Sequence, residues 1–566
     1  MVTSKPYMYI DIETSLNHCE PWCIATLGED DETFELHFDT STLPDPNDFI
    51  FVAHYGLGFD FPKLAELYNY HIPPANQIDT ILLSKLLDPN VFGGHSLRNL
   101  AIIAGDELKG EYPKEAFDWG YTEEMGLYCG QDTLTLRSVH LYLLSKLAEM
   151  GYSDDCITLE HEVRRITNQQ EKNGILLDFE KASNMYADLS HAQLQITEKL
   201  GVVFPPIVTA RYGKNGKPLA DGVEVFNVGS RQQIARRLEH QGVRWSKKTD
   251  NGNIIVDEGT LKPLVNKYPA ARDILKYLTL GKRRSQVAGW LSVVDMDTHR
   301  IHGRVDTLGA ITNRMTHSSP NLAQVEKGEE MRGCFIVPGG HKLVGIDASG
   351  LELRMLAHYM QDDDYINEVM NGDIHWTNAI AFGLVPVGTK YSADDPDSKA
   401  ARDVAKTLIY ALLYGAGDEK LGSVVGKGRG RGRSMRDQFE EAVPAYRTLC
   451  QKVERMACQG HLPGLDGRRI RVRHKHAALN TLLQGAGAIV MKRALVRGVE
   501  ILDAACATYW IALQIHDEIQ VEAPLDWADA VGKAFVQGIR DAGTYYNMRI
   551  KLDGEAKVGD NWASTH

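Results

Sequence analysis

Two acid-tipped, strand-like segments about 170 residues apart constrain this chain more than any other feature. In KLVGIDASGLELRMLAHY an apolar strand ends at Asp347, a tight Ser349-Gly350 turn follows, and Glu352 and Arg354 open a helix. In WIALQIHDEIQVE two strand halves flank His516-Asp517-Glu518, the pattern of a hairpin with acids at its tip. For Asp347 and Asp517 to meet across adjacent strands, the sheet must close around a long helical excursion. That excursion contains ARDVAKTLIYALLYGAG, where four-residue steps put Arg402, Lys406 and Tyr410 on one helical stripe ahead of Tyr414-Gly415. Paired carboxylates suit a pair of Mg²⁺ ions, two cations can hold a triphosphate, and an aromatic ring can stack on a base.

A second acidic cluster begins near the N-terminus. Asp11 and Glu13 lie two apart in YMYIDIET, so on a strand they share a face. GFDFPKL adds Asp60, and YCGQD places Tyr128 and Asp132 one helical turn apart. Four acids and a tyrosine would hold two metal ions able to cleave a phosphodiester.

The charge is divided in the same way. The formal net charge is −13, yet residues 1–155 hold 26 acidic against 8 basic residues, so the remainder is net basic. Residues 402–475 hold 16 basic against 8 acidic, with islands at Lys427, Arg429, Arg431, Arg433 and Arg436 and at Arg468, Arg469, Arg471, Arg473 and Lys475. A polyanion can sit on such islands, because phosphate affinity follows local charge.

A chain of 566 residues implies about three to five domains or subdomains. With 43% hydrophobic and 24% charged residues it is neither disordered nor fibrous. It carries no apolar run long enough to span a bilayer, and MVTSKPYMYIDIE lacks the features of a signal peptide, so a soluble, cytoplasmic protein is expected. The eight cysteines are scattered and read as reduced thiols. DTILLSKLL and YTEEMGLYCGQDTLTLRSVHLYLLSKLAEM read as helices of an α/β domain. EHEVRRITNQQEKNGILLD and SRQQIARRLEHQG are helical, with a loop-like interruption at Arg211 to Gly222. The Gly/Arg run from Gly426 to Arg433 reads as a flexible loop.

The N-terminal acids resemble the three motifs of DnaQ-like (ribonuclease H-like) 3′→5′ exonuclease domains. One departure is that the run His54-Tyr55-Gly56-Leu57-Gly58-Phe59-Asp60 has Tyr55 where that family usually has the Asn that positions the single strand. The later segments resemble motifs A, B and C of family A (polymerase I-like) DNA polymerases. TNRMTHSSPNLAQV, GDIHWTNAIA, HAALNTLLQGAGA and GDNWASTH extend the likeness, which is greatest to the replicative polymerases of short-tailed bacteriophages.

The resemblance implies an α/β and α+β multidomain chain, an exonuclease followed by a right-hand polymerase. The expected division is 1–155 exonuclease, 156–300 thumb and connecting helices, 301–375 first palm part, 376–475 fingers and 476–566 second palm part. It implies that Asp347, Asp517 and the Ala348 carbonyl bind two Mg²⁺ ions, with Mn²⁺ as an alternative, and that Asp11, Glu13, Asp60 and Asp132 do so beside Tyr128 at the nuclease centre. Arg402, Lys406 and His375 would contact the triphosphate, and Lys406 would protonate the leaving pyrophosphate. Tyr410 would lie near the sugar's 3′ carbon, Tyr414 under the nascent pair, and Glu352 against a 2′-hydroxyl. Arg314, Asn480, Gln484 and His516 would touch the primer end and minor groove, and Lys282, Arg283 and Arg284 the duplex backbone. A single-subunit RNA polymerase shares the Arg-Lys-Tyr-Gly helix; the exonuclease cluster and Glu352 favour DNA.

The implied partners are primer-template DNA, deoxynucleoside triphosphates, and a phage helicase, primase or single-strand binding protein. A monomer in the host bacterial cytoplasm is expected, with no membrane partner. Some phage relatives insert a thioredoxin-capturing segment between thumb helices. The stretch from Phe204 to Glu224 is too short for such a module, so no thioredoxin complex is expected.

Overall fold

The computed structural model describes residues 5–106, 112–212, 214–215 and 217–566. The chain forms two compact units: one runs to Gly174 and resumes at Gly303–Ala323 and Val337–His566, and the other comprises Ile175–His302 and Gln324–Ile336.

The first unit opens with strands β1 (Tyr7–Thr14), β2 (Pro21–Gly28), β3 (Glu35–His37) and β4 (Ile50–Ala53), then helix α1 (Asp60–Tyr68), strand β5 (Gln77–Asp79) and helices α2 (Thr80–Leu87), α3 (Leu97–Ala104), α4 (Glu123–Glu149) and α5 (Asp154–Asn173). The sheet order is β3-β2-β1-β4-β5, with β1 antiparallel to β2 and parallel to β4. Tyr9, Ile10, Phe51 and Val52 are fully buried because helices cover the sheet. Thr122 caps α4 by accepting from the Met125 amide, and Glu123 and Glu124 complement the helix dipole in its first turn.

The second unit holds β6 (Ile175–Leu177), α6 (Phe179–Val203), β7 (Ile207–Tyr212), β8 (Pro218–Glu224), α7 (Arg231–His240), α8 (Glu258–Leu261), α9 (Pro269–Val293) and β9 (Arg300–Ile301). Its core joins Ile196 and Leu200 of α6 to Ile234 and Leu238 of α7 and Ile274 of α9. The interruption expected to be loop is an antiparallel hairpin of β7 and β8. Exposed Val208, Tyr212, Leu219 and Val223 have the β propensity for it while burying little, which is why the segment lacks the signature of a half-buried strand.

The chain returns to the first unit for the hairpin β10 (Arg304–Asp306) and β11 (Thr316–Ser318). The second unit is completed by α10 (Glu329–Arg332) and β12 (Phe335–Ile336), which joins β6 and β9 in a three-stranded sheet.

From β13 (His341–Ala348) onward the first unit builds its larger core. The elements are α11 (Leu351–Met360), α12 (Asp363–Asn371), α13 (Ile374–Ala381), α14 (Pro396–Leu413), α15 (Asp418–Val424), α16 (Arg429–Ala442), α17 (Pro444–Ala457), β14 (His461–Pro463), β15 (Arg469–Arg471), α18 (Ala478–Ala504), β16 (Trp510–Ile515), β17 (Glu518–Pro524), α19 (Ala528–Tyr545) and β18 (Gly554–Gly559). The antiparallel sheet β16-β17-β13-β18 carries Val344, Ile346, Ile519 and Val521 into that core. Here the Gly/Arg run departs from the flexible loop expected: from Arg429 it is helix α16. Gly432 permits this, since a β-carbon there would collide with the Asp418 carbonyl of α15. No helix of the described residues is long and apolar enough to cross a membrane.

Candidate active sites

The first site lies at one end of the four-stranded sheet. In the β13–β17 ladder Asp347 pairs with Glu518, and the Ala348 amide donates to the Asp517 carbonyl at 3.1 Å, so the β16–β17 turn is held against the end of β13. Asp347 is exposed and Asp517 half-buried. His516 adopts φ 57° in this turn, and burial and then Arg314 lower its basicity.

Helix α11 starts at Gly350 and points Glu352 at Tyr414, whose hydroxyl donates to the carboxylate at 2.6 Å; Arg314 approaches the same oxygen at 3.4 Å. Burial and then this bond push the Tyr414 hydroxyl up to about 12. Tyr410, one turn earlier on α14, is held above the usual phenol range by burial and then by Glu352, Asp517 and Asp347. Asp347, Asp517, Glu352, Tyr410, Tyr414, Arg314 and His516 therefore form one neighbourhood.

The cationic stripe of α14 is secured separately. Asp373 caps α13 through the His375 and Trp376 amides and accepts from Arg402 at 2.6 Å, and the Arg402 guanidinium lies 5.8 Å from the Tyr391 ring. The His375 ring is 6.5 Å from that of Tyr410. Burial and then Arg402 and Lys406 hold His375 neutral-leaning, and its buried Nδ1 has no hydrogen-bond partner. Lys406 is exposed. Asn480 and Gln484 lie one turn apart on α18 and are half-buried.

Several participants escaped sequence reasoning. Glu518 is buried and accepts from Gln520 at 2.8 Å, from the Trp562 indole, and from His566 at 2.9 Å, so the C-terminal residues clamp the strand next to Asp517. The signals were the third letter of His-Asp-Glu and the terminal GDNWASTH. The Asp before His375 was likewise the signal for the Arg402 partner.

The second site is on the five-stranded sheet. Asp11 and Glu13 project from β1, Asp60 opens α1, and Asp132 lies on α4 one turn after Tyr128, whose ring sits 5.6 Å from that of Tyr112. Burial and then Asp11, Asp132, Cys23 and Asp60 raise the Glu13 carboxyl far above its usual range. Asp60 is raised by burial and then by Asp11. Oxygen or sulfur atoms of Asp11, Glu13 and Cys129 lie within 4.8 Å of one another. Such mutual repulsion among buried carboxylates is the condition that divalent cations relieve, and hard oxygen donors dominate both sites, so the residues present fit such ions.

Part of the basic sequence does not face a polyanion. Arg468 is 1% exposed and bonds Glu160 at 2.6 Å and Asp466 at 2.6 Å; Arg471 pairs with Asp88, and Arg473 reaches Asn90 at 3.2 Å. Arg468 and Arg471 are spent in this way because they join the β14–β15 hairpin to α5 and to the segment after α2. Within the second unit Lys282 and Arg283 pair with Glu326, and Arg283 also with Glu330.

Residues 212–564 match the family model for DNA polymerase family A. The chain is 31% identical to the DNA-directed DNA polymerase of Escherichia phage T7, covering 91% of this chain and 92% of the relative. It is 30% identical to that of Enterobacteria phage T3 with the same coverage. Among solved structures, the POL domain of Pol1 from M. smegmatis, complexed with DNA primer-template and dNTP, is similar with a TM-score of 0.81 and 20% identity, over 100% of this chain and 96% of that one. Members of this family use divalent metal ions. The chain thus belongs to DNA polymerase family A, the enzymes of template-directed DNA synthesis.

Proposed function

We propose that this chain is a phage replicative polymerase that extends a primer 3′ end on a template and trims mismatched ends with a separate 3′→5′ exonuclease centre. The observation that carries the reading is the pair of separated carboxylate sites on two different sheets, only one of which faces a cationic helix. Residues 1–155 serve as the exonuclease domain, 156–300 as thumb and connecting helices, 301–375 and 476–566 as palm, and 376–475 as fingers.

Divalent cations, Mg²⁺ in the cell, would be held by Asp347, Asp517 and the Ala348 carbonyl, and by Asp11, Glu13, Asp60 and Asp132; bound there they make the attacking oxygen more acidic and offset phosphate charge. Arg402, steered by Asp373, and the free ring nitrogen of His375 bind the triphosphate. Lys406 donates its proton to the departing pyrophosphate, where negative charge develops. Tyr410 meets the sugar and Glu352, fixed by Tyr414 and Arg314, closes the space a 2′-hydroxyl would need. Arg314, Asn480, Gln484 and His516 test the primer-terminal pair through acceptors common to all Watson–Crick pairs. At the nuclease centre Tyr128 orients the scissile phosphate. Lys282, Arg283 and Arg284 line the thumb, where Glu326 tempers the first two. The β7–β8 hairpin is too small to be an independent thioredoxin-capturing module.

The test is primer extension with Mg²⁺ and four deoxynucleotides on matched and mismatched ends. Extension of both, with the mismatch removed first, supports the reading; no templated extension overturns it.

A further inference from the structure

The segment that joins α13 to α14 is pinned along its length. Near its middle the buried Trp376 indole donates to the Thr389 carbonyl at 2.9 Å, and the Thr389 hydroxyl closes a turn by donating to the Pro386 carbonyl at 2.8 Å. At its end Asp395 caps α14 by accepting from the Asp397 and Ser398 amides. Between these anchors stands Tyr391. Its ring packs on that of Trp376, the centroids 5.4 Å apart, and the Arg402 guanidinium lies over it at 5.8 Å. Among the described residues Tyr391 is thus engaged through its ring, by Trp376 on one side and Arg402 on the other.

Asp373 approaches the same guanidinium from another direction. One of its carboxylate oxygens accepts from the His375 and Trp376 amides, and the other accepts from Arg402 Nε at 2.6 Å. The fork is therefore fixed at Nε and covered on one face, while its two terminal nitrogens bond to no acceptor among the described residues. A guanidinium grips a phosphate through two parallel hydrogen bonds, and the edge left bare is one that can make them. The Arg402 side chain is 32% exposed, so the contact with the Tyr391 ring is partly desolvated and stronger than one at an open surface.

We infer that Tyr391 is a positioning residue for nucleotide binding: with Asp373 it holds the Arg402 fork in place before a triphosphate arrives. A long side chain that is already ordered loses less freedom on binding, and the difference appears as affinity. Without the ring, Arg402 keeps its bond to Asp373 but can swing about it, and its terminal nitrogens no longer share one direction. The inference rests on the reading of Arg402 as a triphosphate ligand and adds to it a residue that no sequence motif singled out. If Tyr391 served only to pack its segment on Trp376, its loss would lower stability without touching nucleotide affinity.

The test is single-turnover incorporation by the full-length protein carrying Asp11→Ala, on a matched primer-template, with the rate followed against deoxynucleotide concentration. This separates the apparent Kd for nucleotide from the maximal rate. Tyr391→Leu, which keeps an apolar contact for Trp376, is expected to raise Kd about three- to tenfold for all four deoxynucleotides, with the larger share of the loss in Kd and not in the maximal rate. Tyr391→Phe, which keeps the ring, is expected to restore the original Kd. In an Arg402→Ala background, itself raised about tenfold or more, Tyr391→Leu is expected to add nothing, because the two residues act as one unit. An unchanged Kd in Tyr391→Leu, or an equal rise with and without Arg402, would overturn the inference while leaving Arg402 as a triphosphate ligand. A normal Kd in Arg402→Ala alone would overturn the triphosphate reading and the inference with it.

Discussion

Glu160 is the most consequential buried charge outside the two sites. It is fully buried on α5 and accepts from Arg468 at 2.6 Å and from Lys492 of α18 at 2.6 and 2.8 Å. Asp466 completes the quartet by accepting from Arg468 at 2.6 to 3.0 Å. Burial, opposed by Glu160, brings Lys492 down to about 8, so at pH 7 two cations face two anions. Glu160→Gln leaves one surplus cation without water and turns an amide donor toward a lysine. Breaking a buried pair in this way costs about 3 to 5 kcal/mol. Adding Lys492→Met restores neutrality, so the double variant is expected to lose less than the sum of the two single losses, by about 1.5 kcal/mol or more. Thermal unfolding of wild type, both singles and the double measures the coupling. A single loss below about 1 kcal/mol, or strict additivity, would refute the claim that this quartet binds α5 to the hairpin and α18.

The remaining predictions concern chemistry and pH. Tyr410 keeps its proton beside Glu352, Asp517 and Asp347 and can supply the hydrogen bond lost when a nucleotide lacks its 3′-hydroxyl. Dideoxynucleotides are therefore expected to be accepted nearly as well as deoxynucleotides, and Tyr410→Phe to raise discrimination roughly ten- to a hundredfold, read from termination ratios in an Asp11→Ala background. Burial holds His140 down to about 3 and His161 to about 4. The unfolded chain takes up these protons first, near pH 6.5, so the stability they confer at pH 7 drains away as pH falls toward 4. Asp79, raised by burial to about 6, works in the opposite sense. His161→Gln, which keeps an acceptor for the Asp79 amide, is expected to flatten the fall of the unfolding midpoint between pH 7 and 5; an unchanged slope would contradict this.

Much of the arrangement was legible where chemistry and local periodicity coincide. Asp347 at a strand end, Asp517 at a hairpin tip and the stripe of Arg402, Lys406 and Tyr410 are each set by a short run of sequence. Asp11 and Glu13 share a face of β1 as their spacing implies, whereas the approach of Asp60 and Asp132 to Glu13 follows the resemblance to exonuclease motifs and not spacing. What stayed hidden depends on partners far along the chain. Arg468 looks like a DNA contact until Glu160, 308 residues earlier, is found against it. His566 acquires a role only because the C-terminus returns to Glu518. Helix α16 was masked because glycine is a poor helix former, and Gly432 is required by the crossing with α15, not by the helix itself.

The central claim is that two independent carboxylate sites on one chain perform opposite reactions at a primer end. Parallel assays of primer extension and primer degradation on Asp517→Ala and on Asp11→Ala with Glu13→Ala test it most directly. The expected result is loss of extension with degradation retained in the first protein, and the reverse in the second. If either folded variant lost both activities, the assignment of two separate sites would be wrong.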